Sequence, residues 1–187
     1  MAILPITVCG DKILRKKVAK VQKVDNDLIK LISDMFDTMH NANGIGLAAN
    51  QVGVNKQIFV VDISVVDEYK DVKPIAFINP KIIDRSEEKI IFEEGCLSIP
   101  NQHEEVLRPK KIIIQYHDAD LKIQTLEADD LLARVIQHEY DHLQGVLFTD
   151  LVDDETKKKL KKALNNIKKR KIEVDYPISS SSDYQIL

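Results

Sequence analysis

The chain has two cysteines in 187 residues, Cys9 and Cys96, too few for a disulfide framework. In a reducing compartment a working cysteine is more often a ligand or nucleophile than half of a bridge. No apolar run approaches the roughly 18 residues that a membrane helix needs. The opening stretch Met1 to Cys9 is apolar but short, lacks a preceding basic segment and contains Pro5, so it does not read as a signal peptide. There is no internal repeat. These absences exclude secreted disulfide scaffolds, membrane spans and repeat arrays, and lead to an expectation of a cytoplasmic protein.

What is present is ordinary for a globular chain, with 44% apolar and 30% charged residues. Its length suits one domain that needs no staple to fold. The net charge of -3 hides an asymmetry: Lys157 to Lys171 carries nine basic residues and no acid, leaving 18 of the 27 basic residues against 30 acids elsewhere. An acidic body with a basic appendage points to a polyanionic partner, although a solvated helix face has the same composition.

Periodicity predicts the elements. Leu28, Leu31, Ile32, Met35 and Met39 recur at helical spacing over Asp25 to His40. Gln57 to Ile63, Pro74 to Pro80, Lys81 to Phe92 and Ile112 to Tyr116 read as strands, and Leu121 to Leu126 pairs with the last of them across the turn at 117–120. Leu131, Leu132, Val135, Ile136 and Leu143 then fit a buried helix, opened by Asp129 and Asp130 and closed by Gly145. A basic amphipathic helix follows at about 153–171, seamed by Leu160, Leu164 and Ile167. Without a regular βαβ alternation the expected class is α+β: mostly antiparallel sheets around the buried helix. Residues 1–171 form a single domain in this reading. Residues 172–187, with four consecutive serines, are expected to be a flexible tail.

Three segments carry chemistry. His138-Glu139-Tyr140-Asp141-His142 lies on the buried helix, where side chains at i and i+4 stand one above the other and can share a metal ion. Glu139 can reach a water on that ion. A catalytic ion commonly takes three protein ligands and keeps one open position. A downstream Glu or His, as in thermolysin-like peptidases, is one source of the third. No histidine follows His142, and the later acids lie beside or beyond the basic helix. The other source is Cys96, in Glu94-Gly95-Cys96-Leu97-Ser98, whose thiolate suits zinc or ferrous iron. Cys96 also reads as a small buried apolar residue, the reading given to Cys9. The third segment, Gly44-Ile45-Gly46-Leu47-Ala48-Ala49-Asn50-Gln51, has residues small enough for close approach to a ligand. It has no phosphate-loop ending and equally suits a tightly packed turn.

Together and in this order, the three segments resemble the signature motifs of peptide deformylases, GxGxAAxQ, EGCLS and HExDH. The likeness extends from about Leu4 to Asp150. The Leu after Cys96 resembles the bacterial form, and the family pattern differs after Pro100, at Asn101-Gln102-His103. The resemblance implies a hydrolase that removes the N-formyl group from the initiator Met of nascent polypeptides and releases formate. It implies one divalent metal, Fe2+ first, with Zn2+, Ni2+ or Co2+ as substitutes, held by Cys96, His138 and His142. Glu139 would move the proton. Gln51 and the Leu97 backbone N–H would donate to the developing oxyanion. Ile45, Gly46, Glu94 and Gly95 would border the substrate, and Leu131 and Val135 would line the Met pocket unless they are ordinary core. Arg108 is expected to support the fold or a carboxylate such as Glu94, with no catalytic role, and His40, His103 and His117 to lie on the surface. The implied partners are an N-formyl-Met peptide and, through the basic helix, the ribosome near its exit tunnel, in bacterial cytosol; neither DNA nor a membrane is expected. A zinc endopeptidase and a ribosome-binding protein without catalysis are the rival readings. The first requires a downstream ligand and the second a broken site.

Overall fold

The computed structural model describes residues 2–186. Helix α1 (Asn26–Asn41) begins where Asp25 accepts a hydrogen bond from the Leu28 N–H, and it buries Leu28, Met35 and Met39. Seven strands follow: β1 (Gly46–Ala48), β2 (Ile58–Val61), β3 (Ile75–Arg85), β4 (Lys89–Cys96), β5 (Ile99–Pro109), β6 (Lys111–His117) and β7 (Ile123–Asp129). Five of them form one antiparallel sheet in the order β1-β2-β3-β6-β7, and β4 pairs with β5 in a separate antiparallel hairpin. Helix α2 (Asp130–Gln144) packs on β1, β2 and β7, and α3 (Asp154–Lys168) lies beside β5. The expected mixed architecture, with antiparallel sheets and three helices, is present. Among the described residues no helix is long and apolar enough to cross a membrane.

The strand boundaries differ from the expectation most at Pro80. Pro80 does not end a strand: β3 runs through it to Arg85, and the break falls at 86–88. The register between β3 and β6 shifts between Ile78 and Lys81, with Asn79 at φ 49°. Such an irregularity asks no ladder hydrogen bond of the proline nitrogen. Strand β5 was not expected from the sequence at all. Val106 and Arg108 are buried while Glu105 and Leu107 are exposed, so its alternation puts an apolar side chain outside and a charged one inside.

The core has three parts. Phe59, Phe77, Ile112, Ile114, Ala133, Ile136 and Leu143 fill the space between the large sheet and α2. Met35, Met39, Leu47, Ile58, Val60 and Ile78 join α1 to the sheet's other face. Val8, Cys9, Ile99, Val106, Phe148, Leu160 and Ile167 fix α3 to the N-terminal segment and the hairpin. Cys9 is thus a core residue, and burial pushes its thiol up.

The basic run continues past α3 without remaining helical. Arg170 takes φ 54°, its N–H donates to the Ile167 carbonyl, and the Lys171 N–H donates to the Asn166 carbonyl. That is a Schellman end with arginine where glycine is usual. The Arg170 side chain accounts for the choice, because it reaches the fully buried Asp11 at 2.6 Å. Residues 172–186 lie against the body rather than projecting as a tail. Ile178 bridges Ile6, Ser179 is buried, and the Ile186 N–H donates to the Gly53 carbonyl. Leu187 lies outside the described residues.

Candidate metal centre and peptide cleft

The ligand atoms meet where α2 faces the end of β4. The register between β4 and β5 shifts after Gly95, so Cys96 pairs with Ile99 and the chain turns between them through Leu97 and Ser98. Cys96 Sγ lies 3.2 Å from His142 Nε2, and His142 Nε2 lies 3.3 Å from His138 Nε2. All three ligand atoms fall within 4.8 Å of one another. For a tetrahedral ion with metal–nitrogen distances of 2.0–2.1 Å and metal–sulfur of 2.3 Å, neighbouring ligand atoms stand about 3.3–3.5 Å apart. The donor set therefore fits a divalent cation. No downstream acid completes a cluster with the two histidines among the described residues, and the endopeptidase reading loses its third ligand.

A buried ionic network orients one of these ligands. Glu94, 5% exposed, receives the Arg108 guanidinium at 2.6 and 3.0 Å, Arg134 at 2.6 Å and His138 Nδ1 at 2.8 Å. Burial alone would raise this carboxyl, but His138 and Arg108 outweigh it and hold Glu94 well below the usual carboxylate range. An ionised Glu94 accepts the Nδ1 proton of His138, which leaves Nε2 free to ligate. Arg108 also reaches Asp141 at 2.6 Å, tying the acid of the HExDH pattern to the same network. The Arg108 expectation thus holds. The Glu94 carboxylate, in contrast, points inward at His138, although the residue borders the cleft.

The glycine-rich segment supplies the opposite wall, and its small residues have identifiable causes. A Cβ on Gly46 would stand 2.5 Å from Glu139 Oε1 and 2.8 Å from Val135 Cγ1. One on Gly44 would stand 2.8 Å from Leu97 Cδ1. The two glycines let this segment press against the other two motifs. Gln51 is oriented by its own neighbours. Its side-chain oxygen accepts the Ala48 N–H at 2.7 Å, which turns the NH2 toward Ser98 Oγ at 3.2 Å and Cys96 Sγ at 3.6 Å. Glu139 is buried, and its Oε2 has no hydrogen-bond partner. Burial pushes its carboxyl up to about 7, against the pull of His138.

Ile45, Gly46, Glu94, Gly95, Leu131 and Val135 all border one cleft of about 540 Å³, together with Gln51, Cys96, Leu97, His138 and Glu139. Val135 also belongs to the core, so one side chain does both jobs. His40 is exposed and paired with Asp62, His117 is only half-buried, and exposed His103 covers Gly95 at the cleft's edge. Three contributors escaped the sequence reading. Arg134 sits one residue from the apolar stripe of α2, and its burial depends on Glu94. Asn50 donates to the His142 carbonyl at 2.6 Å; the signal was a polar residue inside a run of small ones. Tyr176 donates to the Leu97 carbonyl at 2.8 Å from a segment expected to be free.

The chain matches the family description "Polypeptide deformylase" over residues 3–158. It is 44% identical to a peptide deformylase of Chlorobaculum parvum over 177 residues, 95% of this chain and 94% of that one. It is 45% identical to one of Salinibacter ruber, covering 97% and 96%. It also resembles the structure of a peptide deformylase from Ehrlichia chaffeensis in complex with actinonin, at TM-score 0.82 and 39% identity over 92% of this chain and 100% of that one. With the three motifs gathered into one cleft, these likenesses give a single conclusion: the chain belongs to the polypeptide deformylase family.

Proposed function

We infer that the cleft hydrolyses the formyl amide at the amino terminus of nascent polypeptides. The observation that carries this is the meeting of Cys96, His138 and His142 at tetrahedral spacing beside the buried carboxylate of Glu139, whose Oε2 has no hydrogen-bond partner. The chain is a metal-dependent hydrolase by family, and Cys96, His138 and His142 are the residues that would hold the ion. A mixed thiolate and imidazole set suits ferrous iron, which we take as the working metal; zinc, nickel and cobalt suit the same donors. Such a cation polarises a carbonyl and makes water acidic enough to attack near neutral pH.

The side chains divide the rest of the work. Glu139 accepts a proton from the attacking water as its oxygen bonds to the formyl carbon, then passes a proton to the nitrogen as the C–N bond breaks. Formate and a free amino terminus leave. The Gln51 NH2, already aimed at Cys96, donates to the formyl oxygen as it becomes negative, and the Leu97 N–H is the second donor. One such donor is worth about 3 kcal/mol of barrier. Ile45, Gly46 and Gly95 flank the peptide, and Leu131 and Val135 receive the Met side chain.

The site of action we propose is bacterial cytosol at the ribosome, because α3 exposes Lys158, Lys161, Lys162 and Lys168 to an anionic surface. Formate release from formyl-Met-Ala-Ser tests the chemistry, using oxygen-free, iron-loaded protein. The parent should turn over, and Glu139→Ala and Cys96→Ala should each lose at least about a hundredfold. A folded, metal-loaded parent that releases no formate would sink the reading.

A further inference from the structure

The C-terminal segment follows a path that its sequence does not announce. After the Schellman end of α3, residues 172–179 run back along the mouth of the cleft. Asn101 Nδ2 donates to the Glu173 carbonyl at 3.4 Å. Glu173, Val174, Asp175 and Tyr176 all line the same cleft as Gly46, Cys96 and Glu139. The segment is then fastened on its far side. The Ile6 N–H donates to the Pro177 carbonyl, and the Ser179 N–H donates to the Ile6 carbonyl, both at 2.8 Å. The Ser179 hydroxyl donates to buried Asp11, whose other oxygen takes Arg170 at 2.6 Å. Ile172 and Ile178 also pack against the core beside α3, so the eight residues are held at both ends.

The half-buried Tyr176 is the strap's contact with the working parts. Its hydroxyl donates to the Leu97 carbonyl at 2.8 Å. The turn at 96–98 has other fastenings: Cys96 pairs with Ile99, the Cys9 N–H donates to the Ser98 carbonyl at 2.7 Å, and the Gln51 NH2 reaches Ser98 Oγ at 3.2 Å and Cys96 Sγ at 3.6 Å. None of these reaches the Leu97 carbonyl, which Tyr176 takes. Burial keeps the Tyr176 hydroxyl protonated, so it stays a donor.

We propose that residues 172–179 form a strap that walls the peptide site, with Tyr176 as a positioning residue that holds the Leu97 turn in its reactive geometry. The proposal rests on the functional reading for the role of the Leu97 N–H. A misplaced donor lowers the rate of the chemical step more than it weakens substrate binding. Tyr176→Phe keeps the ring and removes the hydroxyl. In iron-loaded protein it should lower kcat for formyl-Met-Ala-Ser about tenfold, with KM within about twofold and metal content unchanged. The chain has no tryptophan, so Val174→Trp places a single reporter on the strap. Its emission should shift saturably as the product peptide Met-Ala-Ser is added, while Ile123→Trp, exposed on β7, stays silent. A kcat for Tyr176→Phe within about twofold of the parent overturns the proposal, and so does a silent Val174→Trp. Should Tyr176→Phe fail to fold, the tryptophan titration decides alone. A parent that releases no formate defeats the functional reading instead, and the titration still tells whether the strap borders a peptide site.

Discussion

Two regions of this molecule are rich in charge and use it in opposite ways. Around Glu94, two arginines, two acids and a histidine are packed into the space between α2 and the β4–β5 hairpin, and every contact is short. On α3, lysines stand in solvent, and Lys157 and Lys159 meet Asp154 and Glu155 only in exposed pairs. A buried charge without its partner is costly, so the first group fixes positions to within a hydrogen-bond length. An exposed pair contributes little and is screened by salt, so the second group fixes nothing and remains available to a partner.

The largest break in the contrast should come from Arg108→Ala. It strands Glu94 and Asp141, and should cost about 3–5 kcal/mol of stability in denaturant unfolding. Arg170→Ala tests the same rule inside the basic run. It leaves Asp11 without its cation and should cost about 3 kcal/mol, whereas Lys169→Ala beside it should stay within about 0.5 kcal/mol. Equal effects for the two would erase the distinction between buried and exposed basic residues. Glu94→Gln keeps the shape but weakens the hold on His138 Nδ1, and metal affinity measured by chelator competition should fall about 10–100-fold. Gly46→Ala puts a methyl against the Glu139 carboxylate and Val135. It should cost about 1–3 kcal/mol and displace the base, so formate release should drop while metal content holds. The smallest effect belongs to Lys158, Lys161 and Lys162 replaced together by Gln. Tripeptide turnover and stability should stay within error, while association with ribosomes, measured against salt concentration, should weaken and flatten.

The linkage of Glu94 has a definite sign. Its folded pKa lies below the unfolded value, so the stability it contributes is complete above the unfolded carboxylate range. That contribution declines only as pH falls from there toward the folded pKa. A parent that loses stability between pH 7 and 5 must do so through another group.

The parts legible in the sequence are those whose signal is local. His138 and His142 are one helical turn apart in any helix, and the apolar stripe of α2 follows from the same period. The acids before α2 and Gly145 after it mark its ends. Strand β5 was hidden because its burial pattern inverts the usual one: Arg108 is inside only because Glu94 and Asp141 receive it. Residues 172–179 were hidden for a related reason. The serine run that opens at Ser179 and the acids Glu173 and Asp175 read as solvated until Asp11 and Ile6, far away in sequence, give Pro177 and Ser179 their partners.

By itself the sequence determined the candidate ligand types, the spacing of His138 and His142 on one helix and the three motifs that identify the family, because these depend on residue chemistry and on a fixed helical period. Only the tertiary structure decided that Cys96 comes within 3.2 Å of His142 across 46 residues, that Glu94 turns inward to His138, and that Tyr176 closes on Leu97. Those contacts depend on which strand ends where and on which buried charges find partners. Neither is written in any window of neighbouring residues.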